Sequence, residues 1–207
     1  MLPFPAMGPV QRVTMGCVLV LAAAAHDASA SVSIAIPFDS LVRASTAAAL
    51  ITPVTQTSSW QGGRIFTYTE VHIDQRVAGD TLPETVTIRT MGGDVGTLGQ
   101  AVEGEAVLTI GRPSLLFLHP SAPVPGDTSG LTSRAATYSV TARAQGQFPV
   151  VADAQGELRV RRSSGIGALV APKGAGQPVL AGDALHGVKV DDAKTAIAQV
   201  WSRVHAP

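Results

Sequence analysis

Cysteine is almost missing from this 207-residue chain, and its single occurrence is poorly placed to hold a fold together. Cys17 sits near the start of an uncharged apolar run, Met15 to Ala25. If that run is a leader that is removed, the mature chain has no thiol. Disulfides, cysteine nucleophiles and thiolate metal sites are then excluded together. Asparagine is absent altogether, and lysine occurs only as Lys173, Lys189 and Lys194, while arginine and alanine are common. That bias fits a GC-rich bacterial coding sequence. Charge of one sign is also lacking: 15 basic residues meet 15 acidic ones. A nucleic-acid or anionic-membrane partner needs a basic excess, so neither is implied. There is no Gly-x-Ser-x-Gly elbow and no dinucleotide or Walker fingerprint. No cofactor is called for.

What is present begins with an export pattern. Arg12 gives a weakly positive start, Met15 to Ala25 is the apolar stretch, and His26-Asp27 breaks it. Ala28-Ser29-Ala30 is an A-x-A cleavage pattern, which predicts a signal peptide over residues 1–30 and a mature start at Ser31. The apolar run falls short of the roughly 20 residues that a membrane-spanning helix needs. No later segment comes close, so no transmembrane segment is expected after cleavage. The destination is the periplasm or the cell exterior. A domain of the remaining size buries roughly 70% of its unfolded surface, enough to hold itself without disulfides.

The mature chain reads as mainly β. A short helical turn is expected at Asp39 to Ala44, with Asp39 as its cap. Ala47 to Thr57 follows as a strand, with Pro53 marking an edge or bulge. Ser58 to Gly63 is turn chemistry, and Gly62-Gly63 permits the positive φ of a tight hairpin. Ile65 to Val77 shows the clearest alternation. Ile65, Thr67, Thr69, Val71, Ile73 and Val77 form one face, and Phe66, Tyr68, Glu70, His72, Asp74 and Arg76 the other. Further strands are predicted at Thr85 to Met91, Glu103 to Ile110, Ser114 to His119, Thr137 to Ala144, Phe148 to Ala152 and Glu157 to Arg162. Ser114 to His119 reads as buried on both faces. Short, closely spaced strands predict a small antiparallel β-barrel, OB-like, or a sandwich, over residues 31–165. Residues 166–189 read as a flexible segment. Residues 190–207 read as a C-terminal α-helix capped by Asp191 or Asp192, with Ala193, Ile197, Val200, Trp201 and Val204 on one side to dock it.

Three places carry candidate chemistry. Glu70, His72 and Asp74 alternate on one strand, so their Cα atoms are about 7 Å apart and two of them can share a metal ion with a ligand from elsewhere. A solvated strand face needs polar residues at the same positions. The Gly92 to Gly99 segment, with Gly93 and Asp94, offers a recognition loop or a plain turn-rich connection. Trp60, Phe66 and Tyr68 surround one hairpin beside carboxylates, as at sugar- and peptide-binding surfaces, or else form part of the core. Arg159 and Arg161 share a strand face and can grip an anion or keep an edge soluble.

Several runs carry a resemblance. They are Trp60-Gln61-Gly62-Gly63-Arg64-Ile65-Phe66-Thr67, Arg76-Val77-Ala78-Gly79, Gly92-Gly93-Asp94-Val95-Gly96, Val102-Glu103-Gly104-Glu105, Leu115-Leu116-Phe117-Leu118 and Ala144-Gln145-Gly146-Gln147-Phe148. Together they resemble a family of uncharacterised exported proteins from GC-rich soil bacteria of the myxobacterial kind, over most of residues 40–165. That likeness implies an origin and no activity. The short helix, five-strand core and buried apolar strand are also similar to the oligomer-binding barrel of secreted inhibitor domains such as the tissue inhibitors of metalloproteinases. Those inhibitors use an N-terminal cysteine on the catalytic metal, and a chain starting at Ser31 has none. The expectation is a non-enzymatic exported domain that binds a protein or glycan, with Trp60 to Tyr68 and Gly92 to Gly99 as contact surfaces. The rival is a metal-dependent hydrolase or metal-binding protein on the Glu70, His72 and Asp74 face. A structural envelope component with no discrete ligand is the third reading.

Overall fold

A computed structural model describes residues 32–123, 137–171 and 178–206; the expected signal peptide lies outside them. The chain runs β1 (Val32–Ile34), α1 (Phe38–Arg43), β2 (Ala47–Gln61), β3 (Arg64–Gly79), β4 (Thr85–Met91), β5 (Gly93–Val95) and β6 (Leu98–Gln100). It continues through β7 (Ser114–Pro120), β8 (Thr137–Val140), β9 (Gln147–Ala152), β10 (Leu158–Val160), β11 (Ala168–Val170), α2 (Ala181–Leu185) and α3 (Val190–Val204). The class is mainly β, as the alternation predicts.

The principal sheet has seven strands in the order β10-β9-β7-β2-β3-β4-β8. It curls until β8 also pairs with β7. The result is a partly closed ring, β2-β3-β4-β8-β7. Every pairing in it is antiparallel except β4 with β8, which is parallel over only Thr87↔Thr137 and Ile88↔Tyr138. The β2–β3 hairpin closes at Gln61↔Arg64 over Gly62 and Gly63, with φ of 55° and 79°. Two left-handed residues give the turn whose twist matches the strands it joins.

Two cores follow from the two-residue period of strands. Ala47, Ala49 and Ile51 of β2 join Val71 and Ile73 of β3, Val86 and Ile88 of β4, Leu116 and Leu118 of β7 and Val140 of β8 inside the ring. The intervening Ala48, Leu115 and Phe117 point out of the ring, under α1, α2 and α3. Thus β7 is buried on both faces, as its unbroken apolar run predicts. Phe117 centres the outer layer, edge-on to Phe38 at 6.4 Å and to Phe148 at 6.1 Å. Each such pair adds about 0.5–1.5 kcal/mol beyond area burial.

The C-terminal helix docks through the expected stripe: Ala193, Ile197 and Val200 are buried, and Trp201 and Val204 are partly so. Gly79 makes the docking possible. Its φ is 85°, and a Cβ there would run into the Thr46 carbonyl and lie 2.5 Å from the Trp201 indole. The caps differ from expectation. Pro37 and Lys189 precede α1 and α3, and Asp39, Asp191 and Asp192 lie inside the first turns with no side-chain cap. There they favour the helix through the macrodipole.

Three further differences have physical causes. Glu103 to Ile110 is irregular rather than a strand, although Ala106 and Leu108 do plug the ring. Side-chain amides replace a ladder there. Gln147 accepts from the Val107 N–H and donates to its carbonyl, and Gln56 donates to the Leu108 carbonyl. The strand expected over Thr137 to Ala144 stops at Val140, because Ala142 and Arg143 both turn left-handed at φ 55°. Within residues 166–189, β11 pairs in parallel with β1, and α2 buries Ala181 and Leu185. Neither strand has a period long enough to announce itself.

Candidate functional site

All three helices contribute side chains to the outer core over β2, β7 and β9, which leaves the middle of the β3–β4 outer surface uncovered by helix. Register fixes what stands there: Phe66 beside Met91, Tyr68 beside Arg89, Glu70 beside Thr87 and His72 beside Thr85. Phe66 is half-buried, with the Arg89 guanidinium 5.4 Å from its ring centroid. Arg89 also donates from Nη1 to the Ala122 carbonyl at 2.7 Å, so the start of the β7–β8 connection is fastened at this surface. Trp60, at the hairpin tip, is 54% exposed.

Tyr68 belongs to the other alternative. It is only 4% exposed, and its hydroxyl donates to Gln61 Oε1 at 2.7 Å. It supports the hairpin and offers no contact surface. The alternation that groups it with Glu70 is correct; strand period alone does not reveal which members of a face are covered.

Glu70 and Asp74 are exposed and His72 is half-buried. A bulge interrupts the row, since Ile51 faces Ile73 and Leu50 faces Gln75, which leaves Asp74 unpaired on β3. The Asp74 carboxylate accepts from the Thr52 hydroxyl at 2.7 Å. Among the described residues, no three His, Cys, Asp or Glu side chains converge enough to hold a metal ion.

The glycine segment forms a small hairpin, β5–β6, folded over the ring-facing side of β2 and β3. Gly93, at φ 122°, presses its backbone onto the Ser58 and Thr67 hydroxyls, leaving no space for a Cβ. Asp94 stands exposed opposite Gly99. At the base of this hairpin lies a cleft of about 290 Å³, lined by Gln56, Thr67, Thr90, Gly93, Gln100 and Glu105 among others. Thr67 donates to the Gly92 carbonyl at 2.7 Å, and Gln100 Oε1 accepts from the Ile65 N–H at 2.7 Å. These bonds fix the walls. Glu105 is only 9% exposed. Burial pushes its carboxyl above the ordinary range, opposed by the Ala106 N–H, the Arg143 guanidinium and the Met91 N–H. A smaller recess of about 200 Å³ beside β11 and α2 has Arg162 at its wall, but that guanidinium is committed to Asp183 at 2.6 Å.

Sequence reasoning singles out Gly93 but passes over Thr90 and Glu105. The available signal was one carboxylate, Glu105, followed directly by the apolar run Ala106-Val107-Leu108. Arg159 pairs with Asp153 at 2.6 Å and Glu157 at 3.3 Å and so secures the β9–β10 hairpin. No helix among the described residues is long and apolar enough to cross a membrane. No protein-family model, curated protein or solved structure matches the chain.

Proposed function

We propose that this protein is an exported, non-enzymatic binding module that holds an extended partner, polypeptide or glycan, across the outer surface of β3 and β4. The observation that carries this reading is the asymmetry of the ring. Helices cover the β2–β7 side, and the β3–β4 side keeps Phe66, Arg89, Glu70 and His72 at its surface, while Trp60, paired with Ile65, stands at the hairpin tip on the opposite face. Strand order supports it. Around the ring the strands run first, second, third, fifth, fourth, with the third and fifth parallel. That is the order of an oligomer-binding barrel, a fold that engages chains on its second and third strands and the loops beside them. The analogy is one of fold, and the chemistry rests on the residues.

Phe66 gives a flat apolar contact, Arg89 a forked donor, and Glu70 an acceptor, a set suited to hydroxyl-rich or amide-rich chains. Export rests on the leader pattern of residues 1–30. The metal reading gains no such support, since among the described residues no three potential ligands converge there.

The test is a screen of envelope polysaccharides and displayed peptides against the parent and a Phe66→Ala/Arg89→Ala double variant. Retained ligands that bind the parent, and the variant at least tenfold more weakly, support the reading. Equal binding by a fully folded variant would sink it.

A further inference from the structure

We propose that the cleft at the base of the β5–β6 hairpin is a second binding site, which takes a small molecule carrying a protonated amine beside hydroxyl groups, such as an amino sugar or amino alcohol. This inference does not depend on the β3–β4 surface.

The cleft volume of about 290 Å³ lies at the small end of the range for small-molecule pockets and far exceeds the needs of one metal ion. Glu105 is the only ionisable residue lining it. The residue is 9% exposed, and burial outweighs what the Ala106 N–H, the Arg143 guanidinium and the Met91 N–H return to its carboxylate. The Ala106 N–H lies 3.2 Å away, and the Arg143 Nε is 3.8 Å away on a side chain that is 52% exposed. A carboxylate offers about four lone-pair sites, so acceptor capacity remains after these contacts. A cation delivered into this low-dielectric wall gains more than one at an open surface.

Thr90 sets the second half of the ligand. It is 8% exposed and lines the cleft on the ring-facing side beside Thr67. Its hydroxyl, as donor or acceptor, can exchange a hydrogen bond with a ligand hydroxyl in the cleft. Gln56 spends its Nε2 on the Leu108 carbonyl and the Thr69 hydroxyl, which leaves its carbonyl oxygen as an acceptor. Val102 and Leu108, with Ala101 and Ala106, supply apolar lining for a carbon skeleton. The site therefore presents one negative charge, further acceptors and one hydroxyl, and the complementary ligand is a donor-rich cation.

The experiment is an amide NMR titration of the ¹⁵N-labelled chain at neutral pH with D-glucosamine, run in parallel with D-glucose. The expected result is saturable shifts at Gly92, Gly93 and Ala106 with glucosamine, and at least tenfold weaker binding of glucose. Glu105→Gln, which keeps the side-chain shape, should weaken glucosamine about tenfold, a change of about 1.4 kcal/mol. Thr90→Val provides an independent variant should the first fail to fold, and is expected to weaken binding severalfold. Arg89→Ala, on the opposite face of the sheet, should leave this titration unchanged. The proposal is overturned by no saturable shift with glucosamine, by equal response to glucose, by shifts confined to the Phe66–Arg89 surface, or by unchanged affinity in the folded variants.

Discussion

On the β2–β7 side of the ring, Ala47, Ala48, Ala49, Leu115, Phe117 and Leu118 are all essentially removed from water, on both faces of their strands. On the β3–β4 side, Glu70, Asp74 and Thr85 stand in solvent while their neighbours Val71, Ile73 and Val86 are buried. Both sides belong to one hydrogen-bonded ring, and both obey the same two-residue period. They differ in what lies outside. Ala48, the one of three consecutive alanines in β2 that points outward, presents little bulk and lets the helix layer approach, and Phe117 fills the space between Phe38 and Phe148. Charged, hydroxylic and half-covered aromatic side chains on β3 and β4 offer no comparable apolar surface. One side of the ring is packed on both faces, and the other keeps its outer face in solvent.

That contrast can be broken most directly by equal truncations on the two sides. Phe117→Ala should cost about 3–5 kcal/mol by chemical denaturation, the range for emptying a buried phenylalanine site. Phe66→Ala should cost under about 1 kcal/mol, as partly exposed positions do. A Phe66 cost matching that of Phe117 would mean the β3–β4 surface is core after all. Next in size is Gly79→Ala, where the added methyl meets the Thr46 carbonyl and the Trp201 ring. Overpacking of this kind costs about 1–3 kcal/mol, and the indole fluorescence of a Trp60→Phe background should shift to the red as α3 lifts.

Gln147→Leu sharpens the account of the irregular plug. It leaves both backbone groups of Val107 without their partner, at about 1–3 kcal/mol, and amide exchange should accelerate at Val107. Glu105→Gln should show its effect as a pH dependence. The folded carboxyl is raised above its ordinary value, chiefly by burial, so folding favours the protonated form. The parent therefore carries no penalty below the ordinary carboxylate range and loses stability as pH rises through the folded value. The variant should be the more stable of the two at neutral pH, with the difference gone below about pH 4. Smallest of all, Trp60→Ala should move the unfolding midpoint by no more than about 0.5 kcal/mol equivalent, since the ring lies largely in water. A larger loss would show that the hairpin tip supports the fold.

Much of this was legible from residues alone because strand period is local. Val71, Ile73, Val86 and Ile88 announce an inward face, Ser114 to Leu118 a doubly buried strand, and Ile197 with Val200 a docking stripe. The candidate site was only half legible. Trp60 and Gly93 stand where their sequence context points, one at a hairpin tip and the other against a neighbouring strand. Tyr68 was ambiguous because its cover is Gln61, seven residues away across the hairpin turn. Glu105 and Thr90 were invisible as a pair because fifteen residues and an entire hairpin separate them.

The sequence by itself therefore determined the β class, the hairpin at Gly62-Gly63, the alternation of inner and outer residues and the apolar side of α3, since each depends on neighbours within a few positions. Only the tertiary structure decided that the ring closes through β8, that the helices lie on one side of it, and that one carboxylate is buried at the mouth of a cleft. Those outcomes depend on which distant surfaces meet, and burial is a property of the meeting rather than of either segment.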